Sequence, residues 1–187
     1  MLFAMKWEIV SSKYLSNHIY FTARQDRCIR NDGLIIDPYF VVELPTTATA
    51  LALTADEKVI LIKQYRHPIN EIILETPGGF IDPGEDPISG MQRELLEETG
   101  YHFPHLESIG KVAANPGVLN NFTELYLATG GVKTTAQHLD YNEEIEIVLV
   151  TIEELVNLLM THQIKQSLHA NCIFYALHKL GKISMQL

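Results

Sequence analysis

Three glutamates in the middle of the chain are the side chains whose type and spacing most directly suggest chemistry. Glu97 and Glu98 follow Glu94 by three and four residues, so on a helix the three carboxylates share one face. Like charges at that spacing repel each other and slightly destabilise a helix. Two interpretations remain open. The glutamates form a solvated surface, or they surround a hard divalent cation such as Mg²⁺, which takes carboxylate oxygens together with phosphate.

The segment that carries the glutamates has the end signals of a helix. Asp86 is a favourable N-cap, Pro87 suits the first helical position, and Gly100 suits the position just past the last turn. The apolar stripe at helical spacing consists of Ile88, Met91, Leu95 and Leu96. We therefore predict an amphipathic helix over residues 87–99 with the carboxylates opposite its apolar side.

The residues on both sides of this helix complete a motif. From Gly79 the sequence reads GFIDPGEDPISGMQRELLEETGY, which sets Glu85, an Arg-Glu-Leu triplet, a Glu-Glu pair and Gly100 at fixed spacings. This segment resembles the Nudix box at each defined position. The resemblance implies an α/β Nudix fold, which is an α/β/α sandwich around a mixed β-sheet. It also implies a loop–helix–loop that binds a divalent metal and a diphosphate.

The resemblance assigns a role to each residue of the motif. The implied structural positions are Gly79, Glu85, Arg93 and Gly100. The implied metal ligands are Glu94, Glu97, Glu98 and the carbonyl group of Gly78. Arg93 and Glu85 are expected to form the ion pair that holds the loop to the helix. The expected cofactor is Mg²⁺, with Mn²⁺ as an alternative, because such a cation polarises a diphosphate and neutralises charge in the transition state.

Stretches outside the motif resemble the branch of the family that hydrolyses ADP-ribose and nucleoside diphosphate sugars. They are ILIKQYRHP at residues 60–68, LETPGG at residues 74–79, and Pro116 beyond the motif. The implied reaction is hydrolysis of the pyrophosphate bond to a nucleoside monophosphate and a sugar phosphate. Pro-Gly-Gly before the motif and Asn115 beside Pro116 depart from the branch pattern, which leaves room for other sugar nucleotides such as GDP-mannose.

Three residues are predicted to contact this substrate, and they are Arg66, Pro116 and Gly117. A guanidinium group matches the geometry of a phosphate, which favours Arg66, although a surface arginine beside a strand is an equal alternative. Tyr65 is interpreted as a packing residue. The aromatic candidates for a nucleobase platform, for which packing on strands is the favoured interpretation, are Trp7, Tyr20 and Phe21.

A general base is also expected, and the resemblance places it on an acidic loop before the last strand. The segment LDYNEEI at residues 139–145 lies there. Glu143 aligns best and Glu144 is next, with a solvated loop as the alternative for each. Glu98 is the further catalytic candidate. The histidines show no metal-binding spacing and are interpreted as surface or core residues.

Two other functions remain possible from the sequence. The same chemistry could act on a nucleoside triphosphate, a dinucleoside polyphosphate or coenzyme A. Alternatively, the fold could bind a nucleotide without cutting it, but such modules commonly lose the carboxylates of the motif, and this chain retains them.

Composition narrows the class of partner. The formal net charge of −9 disfavours a nucleic-acid-binding groove, which needs a basic face. No window of the sequence approaches the length of a membrane span, and the first residues lack a secretory apolar core, so a cytoplasmic protein is expected. Cys28 and Cys172 have no metal-clip spacing and are predicted to be free, buried thiols.

The chain is expected to form one domain in two parts. Residues 1–45 read as extra strands, predicted over 5–11, 16–24 and 34–45, and residues 46–187 as the Nudix domain. In the ADP-ribose branch such strands build a homodimer, which we expect here. Further strands are predicted near residues 48–54, 58–64, 106–114, 122–129 and 144–150, with helices over 151–160 and 167–180.

Overall fold

The computed structural model describes residues 5–18 and 21–184. The chain falls into two compact units. The first unit comprises Met1–Pro45 and Ala113–Asn121, and the second comprises Thr46–Val112 and Phe122–Leu187. None of the helices in the described ranges combines the length and the apolar character needed to cross a bilayer. Cys28 and Cys172 are both free and buried, which confirms the prediction.

The first unit is built on a three-stranded antiparallel sheet. Its strands, paired in chain order, are β1 (Glu8–His18), β2 (Phe21–Ile29) and β3 (Ile35–Glu43). Strand β3 lies within the predicted stretch 34–45 and runs through Pro38 without a break. The reason lies in the pairing, which shifts register between Asp26 and Cys28, so that the strand continues past a residue that has no N–H to donate.

The second unit is a seven-stranded mixed sheet with three helices. Its elements are β4 (Thr47–Thr54), β5 (Val59–Arg66), β6 (Glu71–Glu75), α1 (Pro87–Thr99), β7 (Tyr101–His102), β8 (His105–Val112), β9 (Thr123–Lys133), β10 (Ile145–Val150), α2 (Ile152–Met160) and α3 (Ser167–Lys179). The strand order is β10-β5-β4-β9-β7, with β6 added on β5 and β8 on β9. The β4–β9 pair is parallel, and the other pairs are antiparallel. The short strands β6 and β7 were not predicted.

Strand β4 shows why helices cover both faces of this sheet. Its residues alternate, because successive side chains point to opposite faces. Ala48, Ala50 and Ala52 pack with Met91 and Leu95 of α1. On the other face, Leu51 and Leu53 pack with Leu155 of α2 and with Ile173 and Leu177 of α3. The predicted α/β/α sandwich is therefore confirmed in the second unit.

The ends of the helices agree with the sequence signals. Helix α1 has Asp86 as N-cap, whose Oδ2 accepts the Ser89 N–H at 3.2 Å, and it ends at Gly100 in the left-handed region. Helix α2 begins with a capping box in which the side chains of Thr151 and Glu154 each bond the other's backbone N–H. The predicted bounds of α1 are confirmed, and α2 and α3 are each one residue shorter than predicted, α2 because Thr151 is its N-cap.

Gly100 and Gly84 offer a matched test of how α1 is ended. Both have positive φ, at +73° and +83°, but a Cβ on Gly100 would overlap the Thr135 carbonyl, whereas Gly84 has no neighbour within 4 Å. We expect Gly84→Ala to lower the free energy of unfolding by about 1 kcal/mol through backbone strain alone. Gly100→Ala should cost about 3 kcal/mol, because steric overlap adds to that strain. Urea unfolding measures both, and equal losses would contradict the close approach at Thr135.

Candidate functional site

The buried face of α1 differs from the predicted apolar stripe and includes one of the carboxylates. Met91 and Leu95 are buried as predicted, but Ile88 and Leu96, predicted to extend the apolar stripe, are 43% and 38% exposed. The buried face continues instead to Glu98, which is only 3% exposed. Small alanines of β4 line this face of the sheet and let the helix pack closely. The packing of α1 therefore carries a carboxylate into the protein.

The backbone that precedes the motif passes directly over these carboxylates. The N–H of Gly78 donates a hydrogen bond of 2.7 Å to Oε2 of Glu98. A Cβ at Gly79 would lie 2.5 Å from Oε2 of Glu94, so a side chain there would displace that carboxylate. Gly79 lets the backbone approach Glu94, and Gly78 lets it approach the Ala48 carbonyl of β4. The backbone at Gly78, whose carbonyl is a predicted ligand, thereby lies beside Glu98.

Arg93 is the centre of the polar contacts on α1. Its Nε and Nη2 donate to the two oxygens of Glu85 at 3.2 and 3.0 Å, which forms the expected loop-to-helix ion pair. Its Nη1 donates to Glu94 at 2.8 Å and to Glu97 at 3.0 Å. Nη2 also donates to the Phe80 carbonyl at 3.1 Å. One guanidinium therefore fixes the loop and orients two of the predicted ligands.

The protonation equilibria of the glutamates show how concentrated the negative charge is. Burial raises the pKa of Glu94 to about 7, against the opposing effect of Arg93. Burial also raises the pKa of Glu98 well above its ordinary value, and the charges of Glu94 and Glu143 add to the rise. Each carboxylate is thus held where its charged form is disfavoured unless positive charge is supplied.

The donor set of the site fits a divalent cation, although the ligands are not yet gathered around one point. Within the described residues, no three His, Cys, Asp or Glu side chains are grouped closely enough to hold a metal ion. Arg93 draws Glu94 and Glu97 toward itself instead. The oxygens of Glu94, Glu97, Glu98 and the Gly78 carbonyl are the hard donors that Mg²⁺ prefers. A cation among them would also relieve the repulsion between the buried carboxylates.

The loop between β9 and β10 is tied to the C-terminal end of α1. The Gln137 side chain donates to the Glu98 carbonyl at 2.7 Å, and the His138 N–H donates to the Glu97 carbonyl at 2.8 Å. Glu143 lies in this loop, and its charge raises the pKa of both Glu94 and Glu98. Glu144 is exposed, whereas Glu143 is half-buried. The charge of Glu143 is therefore within electrostatic reach of two of the metal-ligand candidates.

Arg66 has a partner that the sequence interpretation did not assign. Its Nε and Nη2 donate to the carboxylate of Glu75, with the shortest bond at 2.7 Å. Glu75 is fully buried, whereas the Arg66 side chain is 41% exposed. The ion pair does not exclude a phosphate contact, because the outer edge of the guanidinium still faces solvent. The position of Glu75 in the LETPGG stretch was the signal that could have pointed to it.

Pro116 and Gly117 lie in the first unit, where they line a cavity of about 430 Å³. Trp7 and Tyr39 line it too, with their rings edge to face at 5.9 Å between centroids. The Tyr39 hydroxyl donates to the Gly117 carbonyl at 2.9 Å. Phe21 is exposed, and Tyr20 lies outside the described residues. In the second unit, the Tyr65 side chain is exposed and donates through its hydroxyl to Asn70 at 3.0 Å, so it is not a core residue.

Comparison with known proteins agrees with this geometry. The family model described as the NUDIX domain matches residues 44–172. The chain belongs to the Nudix family. A second model, described as the nucleoside diphosphate sugar hydrolase N-terminal domain, matches residues 7–42. Nudix hydrolases generally use divalent metals, and the carboxylates of α1 lie within the matched range.

Two curated relatives and one solved structure illustrate the similarity. The Nudix chain is 33% identical over 128 residues to a methanol dehydrogenase activator of Bacillus methanolicus, covering 68% of this chain and 69% of that protein. It is 32% identical over 136 residues to an ADP-ribose pyrophosphatase of Bacillus subtilis (strain 168), covering 72% and 74%. A crystal structure described as an ADP compounds hydrolase superposes with a TM-score of 0.82 at 20% identity, covering 95% of this chain and 97% of that one, which shows the shared fold.

Proposed function

We propose that this protein hydrolyses the pyrophosphate bond of ADP-ribose or a related nucleoside diphosphate sugar in a Mg²⁺-dependent reaction. The products are a nucleoside monophosphate and a sugar phosphate. The observation that carries the proposal is that Glu98 is buried on the helix that also carries Glu94, and that the end of this helix is hydrogen-bonded to the loop that bears Glu143. The match to a nucleoside diphosphate sugar hydrolase N-terminal model and the name of the Bacillus subtilis relative support the substrate class.

In this proposal each group of the site has a separate task. Glu94, Glu97, Glu98 and the Gly78 carbonyl hold the divalent cation. When bound, the cation neutralises the negative charge of the diphosphate and makes phosphorus more electrophilic. Glu143 accepts the proton of the attacking water, and this role is supported by the hydrogen bonds that tie its loop to the end of α1 and by the effect of its charge on Glu94 and Glu98.

Arg66 completes the site with positive charge from the protein. The guanidinium donates to a phosphate oxygen of the substrate through the edge that Glu75 does not use. Arg93 stays structural, since its N–H groups are occupied by Glu85, Glu94, Glu97 and the Phe80 carbonyl. Pro116 and Gly117 are proposed as substrate contacts through the cavity that they line with Trp7.

The first unit supports the proposed homodimer. Its sheet leaves many large apolar side chains at least 39% exposed, among them Trp7, Ile9, Val10, Tyr14, Leu15, Phe21, Ile35 and Phe40. Large apolar side chains exposed in this number on one small sheet favour an interaction site over a free surface. A second copy of the chain is the partner we propose for it. The cytoplasmic location stays a prediction from the sequence.

Substrate choice and the role of Glu98 can be tested in one assay. With Mg²⁺, the purified protein should release phosphomonoesters from ADP-ribose or from another member of a nucleotide-sugar panel that includes GDP-mannose. Glu98→Gln should lower kcat/KM at least about a hundredfold, because one charged ligand is lost. The melting temperature should stay close to that of the wild type, since the amide still accepts the Gly78 N–H. Turnover only of nucleoside triphosphates, or a fully active variant, would refute the respective assignment.

Adjacent glutamates give a matched test of the general base. Glu143→Gln should lower kcat by about 10²–10⁴-fold, the range in which positioned proton transfer contributes. Glu144→Gln removes the same charge one residue along the loop and should stay within about twofold of the wild type. Steady-state kinetics of both variants at saturating Mg²⁺ decide the assignment. Equal losses would show that the loop contributes only its general negative charge.

Substitutions at the exposed apolar residues of the first unit test the proposed homodimer. Light scattering after size exclusion should give twice the mass of the chain for the wild type. A Val10→Lys, Leu15→Lys double variant should shift the protein to monomer, because two ammonium groups cannot be buried unpaired. Its control is Leu149→Lys with Met160→Lys, which charges two exposed apolar residues of the second unit. A monomeric wild type, or dissociation by the control pair, would count against this surface.

A further inference from the structure

Glu75 is a fully buried carboxylate that receives polar contacts from two directions. Arg66 on the neighbouring strand β5 donates to both of its oxygens. From α3 and the residue before it, the Gln166 amide donates to Oε1 at 3.4 Å, and Nε2 of His169 lies 3.5 Å from the same oxygen. A buried carboxylate needs several polar partners to be tolerated, and here Gln166 adds one donor to those of Arg66, while His169 adds a polar contact.

The hydrogen bonds of His169 fix which of its nitrogens carries the proton. The backbone N–H of Thr76 can only donate, and it points at Nδ1 at 3.2 Å, so Nδ1 is the acceptor. The hydroxyls of Thr76 and Thr49 lie 2.6 and 3.3 Å from the same nitrogen. The proton of the neutral ring is therefore on Nε2, on the side of Glu75. His169 is buried, so packing holds the ring in this orientation.

This arrangement determines where the arginine points. Arg66 donates to Glu75 through Nε and Nη2, and among the described residues its Nη1 has no hydrogen-bond partner. The guanidinium is planar, so the orientation of the carboxylate sets the direction of the two remaining N–H edges. A turn of the Glu75 carboxylate would turn those edges with it. The charge of Arg66 also acts on Glu98, which places the guanidinium within electrostatic reach of the metal-ligand candidates.

We propose that His169 and Gln166 are positioning residues, which orient Glu75 so that Arg66 meets the phosphate of the substrate. The proposal deepens the function proposed above and rests on it for the role of Arg66. Neither residue touches substrate. Their effect reaches the site through two side chains, Glu75 and Arg66, from α3 and the residue before it.

A pair of substitutions separates the two hydrogen-bonding sides of the histidine. Asn places its amide near the position of Nδ1, so His169→Asn keeps an acceptor for Thr76 and loses the donor toward Glu75. Gln places its amide near the position of Nε2, so His169→Gln keeps that donor. We expect His169→Asn to raise KM roughly tenfold with little change in kcat, because the N–H that faces Glu75 is lost and the carboxylate can turn, while the reacting groups are unchanged. His169→Gln should stay within about threefold of the wild type.

A double-mutant cycle tests whether the effect passes through Arg66. Arg66→Ala should raise KM at least as much as His169→Asn does. In the Arg66→Ala background, His169→Asn should cause no further rise beyond about twofold, because the group that it positions is gone. Gln166→Met, at a half-exposed site that tolerates substitution better, should repeat the pattern with a smaller effect. His178→Asn, on the exposed side of α3, is the matched control and should change nothing.

The same cycle is run on the binding of inorganic pyrophosphate with Mg²⁺, measured by calorimetry. A wild type that binds pyrophosphate but cuts no nucleotide would refute the proposed function, while the binding cycle would still decide this inference. Additive effects of Arg66→Ala and His169→Asn would overturn it, as would an Arg66→Ala variant with unchanged KM and affinity. Losses in His169→Asn and His169→Gln that follow only their melting temperatures would show a purely structural role.

Discussion

The contact between Arg93 and three glutamates is the interaction on which the rest of the site depends. Helix α1 carries more carboxylate than its surroundings can neutralise, and Glu98 is drawn inside by the packing of the same helix. A single guanidinium, with all its donors used, holds the loop and the carboxylates of α1 together. Because the arginine balances only part of the charge, the site retains the excess of negative potential that a divalent cation needs.

The sheet makes this concentration of charge possible. On the face of β4 toward α1 the side chains are alanines, so the helix axis can come close and the backbone at Gly78 can reach Glu98. On the opposite face the leucines and Thr49 meet α3. One strand thus sets the distance to α1 with one half of its residues. With the other half it anchors the helix that bears His169.

The sequence predicts those parts of the site that are close together along the chain. The bounds of α1 and its caps follow from residues within a short segment, where helix periodicity and capping chemistry are decisive, and the resemblance to the Nudix box implied the pairing of Arg93 with Glu85. The contacts of His169 with Thr76 join residues 93 positions apart and depend on how α3 packs on the sheet, which no local pattern encodes. The apolar stripe was misjudged at Ile88 and Leu96 for a related reason. Alanines on a neighbouring strand, not the helix itself, determine which face is buried.

The buried histidine has a consequence for the protein in acid. Loss of contact with water, and secondarily the charge of Arg66, lowers the pKa of His169 to about 3. In the unfolded chain the ring has an ordinary pKa near 6.5. Between about pH 6.5 and 3 the ring is therefore protonated in the unfolded state and neutral in the folded state. The stability that this neutral ring contributes is complete above that window and declines as the pH falls through it. Mild acidification therefore weakens the fold from its interior, at the point where α3 joins the sheet.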